Sequence, residues 1–176
     1  MQRSREELID SNIFPIRLRK HIVIPTHLRK GLVKCRIVYS NDIQEITYTP
    51  YQPKSIKSLK LVEDNTIDYH CKYLDRNHIN ELYTQRGNCD DIIIVKNGML
   101  TDSSYSNIAL RKDGKWFTPS SYLLNGTRRQ QLIDQGRIIE KEISMDEIGN
   151  YEAISLINAM MGLGQLKINL SLLLIN

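Results

Sequence analysis

Residues 92–118 read Ile92-Ile93-Ile94-Val95-Lys96-Asn97-Gly98-Met99-Leu100-Thr101-Asp102-Ser103-Ser104-Tyr105-Ser106-Asn107-Ile108-Ala109-Leu110-Arg111-Lys112-Asp113-Gly114-Lys115-Trp116-Phe117-Thr118, and this stretch decides the fold. A β-branched run enters Asn97-Gly98, a pair that supplies positive φ at little cost and so closes a two-residue hairpin. Met99 to Thr101 returns, Ser106 to Arg111 goes out again, Asp113-Gly114 turns the chain a second time, and Lys115 to Thr118 comes back. The reading is a β-meander with two strong turns.

Upstream of it, Asp75 to Gln85 places Ile79, Leu82 and Tyr83 on one face at i, i+3, i+4 and closes at Gly87, which predicts a helix. Ser58 to Val62 reads as a strand. Leu32 to Tyr39 and Ile43 to Tyr51 flank the turn Ser40-Asn41-Asp42 as a hairpin. A helix over Arg3 to Ile9 lacks an N-cap residue of its own, and a short helical stretch follows Pro25 and stops at Gly31. Downstream, Asn125 or Thr127 is expected to cap a helix to about Gln135, ended by Gly136. Arg137 to Ile143 reads as a strand, Met145 to Ile148 as a helical turn, Ala153 to Ile157 as an apolar strand, and Leu166 to Ile175 as a final strand. Pro50 to Ser55 carries two prolines and no apolar period, so the domain boundary falls there, dividing 1–52 from 53–176. Strands and helices in this order give an α+β fold.

Composition excludes several classes. In 176 residues, 41% are hydrophobic and 25% charged, which is globular rather than disordered or low-complexity. No apolar run approaches the roughly 20 residues of a membrane span, and the polar start Met1-Gln2-Arg3-Ser4 is not a secretory signal. Cys35, Cys71 and Cys89 are odd in number and widely spaced, so they read as free thiols of a reducing, cytoplasmic compartment and not as a disulfide or zinc framework. A net charge of +4 without a cationic stripe gives no case for nucleic acid, which leaves a small basic binding module as the weakest reading.

Four pieces could carry chemistry: Arg3 on the first helix, Lys72 in Cys71-Lys72-Tyr73-Leu74-Asp75-Arg76, Asp102 after the Asn-Gly hairpin, and the helix start Leu124-Asn125-Gly126-Thr127-Arg128-Arg129. Singly, each has an ordinary reading. A lysine before a helix is solvated, an aspartate followed by two serines turns the chain, Asn-Gly-Thr caps a helix, and an arginine on a helix of alternating charge sits on the surface.

Taken in order, with Lys112-Asp113-Gly114, Phe117-Thr118-Pro119 and Ile157-Asn158-Ala159-Met160-Met161 behind them, they resemble the class IV aminotransferase family. These are the fold-type-IV pyridoxal phosphate enzymes: branched-chain aminotransferase, D-amino-acid aminotransferase and aminodeoxychorismate lyase. The likeness covers nearly the whole chain, most specifically 69–163, and the Asn158-Ala159-Met160 run leans to the lyase branch. It implies a D-amino-acid aminotransferase-like two-domain fold, with 1–52 a truncated small domain and 53–176 the large cofactor-binding domain. It also implies pyridoxal 5'-phosphate as cofactor, a small amino-acid-type substrate, a homodimer, and no membrane or nucleic-acid partner.

The chemistry of that cofactor explains the residue types. Lys72 matches the amine that holds the cofactor as a Schiff base and moves the α-proton, for which its pKa must fall below the free-lysine value of roughly 10.4. Asp102 matches the carboxylate that keeps the pyridine nitrogen protonated. Arg3 matches an arginine that forks onto the phosphate. Gly126, Thr127 and Arg128 match the helix tip whose N–H groups complete the phosphate cradle. Asn158 and Ala159 match a loop near phosphate and substrate, and Arg36 matches a small-domain arginine for the substrate carboxylate, an ordinary strand cation being the other reading. Where the family carries glutamate this chain has Asp102, where it carries Leu-Pro-Gly this chain has Leu124-Asn125-Gly126, and strands that precede the Arg3 position in the family are missing. Met1 is therefore expected to be an internal or misassigned start, or the chain a fragment. The expected activity is transamination or aminodeoxychorismate cleavage. The competing expectation is a remnant that keeps the fold without turnover.

Overall fold

The structure, a computed structural model, describes residues 1–170 and divides into two compact units, Met1–Pro53 and Lys54–Asn176.

In the first unit, helix α1 (Gln2–Leu8) precedes two single 3-10 turns and the antiparallel hairpin β1 (Val33–Tyr39) and β2 (Ile43–Pro50). Its organising side chain is Arg5, 2% exposed. The guanidinium donates to the carbonyls of Ser40 (3.0 Å), Phe14 (2.9 Å) and Asn41 (2.5 Å), and to Gln2 Oε1 (3.0 Å). Loop carbonyls with no ladder partner are thereby satisfied by one planar fork. The 3-10 turn at Leu18–Lys20 has no counterpart in the periodicity, because three residues carry too little pattern.

Among the described residues, the second unit is built on one mixed sheet of eight strands: β3 (Leu59–Glu63), β4 (Asp91–Lys96), β5 (Met99–Ser103), β6 (Asn107–Lys112), β7 (Lys115–Pro119), β8 (Ile139–Lys141), β9 (Ala153–Ile157) and β10 (Lys167–Asn169). The order is β10-β9-β6-β5-β4-β3, with β7 on β6 and β8 on β7. The two meander turns form as the dipeptides require: φ is 52° at Asn97 and 74° at Gly98, and 49° at Asp113 and 74° at Gly114. β3 and β4 pair in parallel across helix α2 (Asn77–Thr84), and β7 and β8 across helix α3 (Thr127–Asp134). The apolar face of α2, Ile79 and Leu82, packs on Val62, Ile92 and Ile94, while Leu132 of α3 packs with Ala109, Ile138 and Ile157. Burial of Ile92, Ile93 and Ile94 explains why that run does not alternate: both faces of β4 are covered.

Three boundaries differ from the sequence reading. The 137–143 strand shrinks to Ile139–Lys141, the part that pairs with β7. The N-cap of α3 is Gly126, with no side chain bonded to the first turn, so neither Asn125 nor Thr127 caps it. Asn125 is engaged instead by Gln130 (3.3 Å) and Arg129 (3.5 Å). The last strand is Lys167–Asn169, and residues 171–175 of the expected span lie outside the described residues. No helix among the described residues is long and apolar enough to cross a membrane.

Candidate active site

Strand direction gathers the acidic, glycine and asparagine candidates. β5, β7 and β9 all run antiparallel to β6, as the β5–β6, β6–β7 and β6–β9 pairings require. Their C-terminal ends therefore collect where β6 begins. Asp102 lies at the end of β5, segment 120–126 follows β7, and Asn158 follows β9. Asn107 opens β6 and pairs directly with Asp102.

Asp102 is 6% exposed and receives three hydrogen bonds. Asn107 Nδ2 donates to Oδ1 at 2.8 Å, and the N–H groups of Leu123 and Leu124 donate to Oδ2 at 3.2 and 3.0 Å. A carboxylate offers about four acceptor directions, so one remains, on Oδ1. Burial pushes this carboxyl up to about 6, against the Leu124 N–H, the Asn107 amide, the Leu123 N–H and the charge of Arg129. A hydrogen bond from Asn158 Nδ2 to Ser106 Oγ (2.9 Å) ties the end of β9 to the same loop, while Asn158 Oδ1 accepts from the Met160 and Met161 N–H groups at 2.8 and 3.0 Å. Ala159 beside it is exposed.

Gly126 opens α3. The chain's first helical bond there is Gln130 N–H to the Gly126 carbonyl, so the amides of the first turn face outward without a side-chain cap. Such a tip suits an anion. Thr127 is exposed, and Arg128 is half-buried with its guanidinium donating to Gln131 Oε1 (2.8 Å). Arg129, to which the motif reading gives no role of its own, is 1% exposed. It donates to the Pro119 carbonyl at 2.9 Å and to the Glu140 carboxylate, and stacks 4.1 Å from the Tyr122 ring centre.

Lys72 is an exposed residue of the segment joining β3 to α2. Asp64 shapes the start of that segment. Burial raises its carboxyl, but hydrogen bonds from Thr66 and His78 outweigh this and hold it at about 2. Tyr69 OH donates to the Tyr73 carbonyl (3.1 Å) and the Tyr73 N–H to the Cys71 carbonyl (2.9 Å), so Lys72 sits inside a tight turn. Arg76, four positions on, donates to the Ser104 carbonyl at 2.5 Å and lies 5.6 Å from the Tyr69 ring, joining the lysine's segment to the loop that follows the acid's strand. A cleft of about 340 Å³ opens beside this turn, lined by Tyr69, Tyr73, Leu74, Arg76 and His78 among others; neither Lys72 nor Asp102 lines it.

In the first unit, Arg3 is exposed on α1, two positions from buried Arg5. Arg36 pairs with Glu45 at 3.1 Å, both side chains about half exposed. The structure thus brings Asp102, Gly126 and the Asn158 loop together around Asn107. It sets Lys72 on a neighbouring segment held by Arg76. Asn107 and Arg129 were legible only as letters inside motifs; the register of a tight hairpin, which sets Asn107 opposite Asp102, was the clue to the first.

The family model described as amino-transferase class IV matches residues 38–167. An uncharacterised protein of Haemophilus influenzae is 44% identical over 142 residues, covering 81% of this chain and 76% of that one. A crystal structure from Haemophilus somnus, named a candidate 4-amino-4-deoxychorismate lyase, superposes with a TM-score of 0.86 at 38% identity, covering 92% of this chain and 86% of that one. A hypothetical aminotransferase of Mycobacterium tuberculosis in its pyridoxal-phosphate-bound form has a TM-score of 0.63 at 16% identity, covering 80% of this chain and 60% of that one, which is a likeness of fold.

Proposed function

The chain belongs to the class IV aminotransferase family, and from that premise we propose that it is a pyridoxal-phosphate-dependent enzyme acting through Lys72, as an aminodeoxychorismate lyase or as an amino-acid transaminase. The lyase is the preferred reading, because the Haemophilus somnus relative carries that name and the Asn158-Ala159-Met160 run leans the same way.

The single observation that carries the reading is the pairing, at one end of the sheet, of a buried acid with an uncapped helix tip. The donor set fits the cofactor. Asp102 keeps one acceptor direction for a protonated ring nitrogen, and the uncapped first-turn amides of Thr127 and Arg128 suit a phosphate. When bound, pyridoxal phosphate supplies the electron sink for the substrate's α-carbon. Asp102 holds its carboxylate against the ring nitrogen, a role that the loss of its own proton to a cationic partner favours. The Lys72 amine would take the proton from the substrate carbon that bears the amino group; in a transaminase it would pass that proton on, and in a lyase the electron pair left behind would break the adjacent C–O bond and release enolpyruvate, which takes up the proton as pyruvate. Asn158 and Ala159 border the substrate. By the resemblance of its motifs alone, Arg3 is proposed to meet the phosphate and Arg36 the substrate carboxylate. The same resemblance supports 1–52 as the small domain and 53–176 as the cofactor-binding domain of a homodimer, proposed to work in the cytoplasm.

Incubation with 4-amino-4-deoxychorismate, monitored for pyruvate, against an amino acid with 2-oxoglutarate, monitored for glutamate, decides between the two reactions. Pyruvate release is expected, and loss of it in Lys72→Ala. Neither product from protein saturated with pyridoxal phosphate contradicts the proposal. A second reading is a fold that has lost turnover. It is favoured by the exposure of Lys72 and by an acid one methylene shorter than the family's glutamate.

A further inference from the structure

We propose that Asn107 is the positioning residue of this site: its carboxamide holds the acid and the helix tip at one fixed separation and so sets the length of ligand that spans them. The inference rests on the functional reading above for the identity of that ligand, and on geometry for the rest.

The amide is used in three directions. Nδ2 donates at 2.8 Å to Asp102 Oδ1 and at 2.8 Å to the Leu124 carbonyl, spending both of its hydrogens. On the other side, a Cβ placed on Gly126 would lie 2.1 Å from Asn107 Oδ1, so the oxygen is pressed against the glycine's backbone. The group is 6% exposed, and water has little room to substitute for either bond. One flat, rigid unit therefore touches the acid, the turn that leads into α3, and the N-cap of α3. Part of its anchoring comes from outside those contacts, since Asn107 also pairs with Ile157 of β9. Asn107 is the first residue of β6, a strand paired on both sides, and Asn158 fastens the preceding Ser106. The second tie between the same parts, from the Leu123 and Leu124 N–H groups to Asp102 Oδ2, leaves the acid free to pivot about one oxygen. Asn107 removes that pivot. Glycine at 126 follows as a requirement of this contact.

A ligand that meets both the acid and the helix tip gains from the link between them, while a ligand that meets one end does not. The test uses the full chain with Asn107→Ala and Asn107→Ser, whose side chains cannot reach both partners. Dissociation constants are measured by calorimetry for pyridoxal phosphate, for pyridoxal and for inorganic phosphate. The expected result is at least a tenfold loss for pyridoxal phosphate, with pyridoxal and phosphate each changed by less than threefold. Equal weakening of all three ligands marks general damage and overturns the proposal, as does an unchanged affinity for pyridoxal phosphate.

Wild-type protein that fails to bind pyridoxal phosphate contradicts the functional reading and leaves the geometric lock to a second measurement, which also serves if neither variant folds. Inorganic phosphate is titrated into the wild-type chain and followed by NMR. The Asn107 side-chain NH₂ is expected to shift together with the Thr127 and Arg128 amides along one saturation curve. Asn107 resonances that stay unmoved, with or without shifts at the helix tip, overturn the lock.

Discussion

Replacing Asp102 by asparagine isolates the electrostatics of the site. Burial lifts this carboxyl from 3.8 to about 6. Between those values the folded chain keeps a proton that the unfolded chain has released. Stability therefore falls as pH rises through this window and levels off above it, because a native state that binds more protons loses stability with pH. Below 3.8 both states are protonated and the contribution is constant. The gap corresponds to about 3 kcal/mol, at about 1.4 kcal/mol for each factor of ten. Asparagine abolishes the titration. It also presents one acceptor where three donors converge, which costs about 1–3 kcal/mol at every pH. Urea unfolding of both proteins without cofactor, read by the fluorescence of Trp116, gives stability at each pH from 4 to 7.5. Asp91, also raised by burial, titrates in the same direction in both proteins and cancels in the difference. The wild-type advantage over Asp102→Asn is expected to shrink by about 2.4 kcal/mol between pH 4 and pH 7, less than the full gap because the unfolded carboxyl is already partly ionised at pH 4. A flat difference, or one that grows with pH, would refute the buried, proton-holding acid.

Further expectations are simpler. Arg129→Met strands the buried Pro119 carbonyl and removes the ring stack, while Glu140 is exposed enough to rehydrate. The expected loss is about 3 kcal/mol, or roughly 6–12 °C in Tm by calorimetry. Arg36→Ala breaks an exposed ion pair and should change unfolding free energy by less than about 1 kcal/mol. Ile94→Ala empties a fully buried position between α2 and the sheet and should cost about 2–5 kcal/mol in urea unfolding.

The meander and both helices of the second unit were legible because each rests on local chemistry. Asn97-Gly98 and Asp113-Gly114 can take positive φ, and Ile79, Leu82 and Tyr83 form a face that only a helix presents. Of the candidate residues proposed from the sequence, Asp102 and Gly126 lie together at one end of the sheet, which their types and order alone did not place. What connects them was not legible either, because the burial of Asp102, the double donation by Asn107 and the stack of Arg129 on Tyr122 depend on strands distant in sequence. The helix start misled for a local reason. Asn125 is a good capping residue, yet its side chain is taken by Gln130 and Arg129, and glycine became the N-cap.

The proposed function turns on whether the Lys72 amine meets pyridoxal phosphate. Protein incubated with pyridoxal phosphate, reduced with borohydride and digested should carry a phosphopyridoxyl group at Lys72, located by peptide mass spectrometry, with Asp102→Asn lowering the yield. Label confined to other lysines, or none at saturating cofactor, would contradict it.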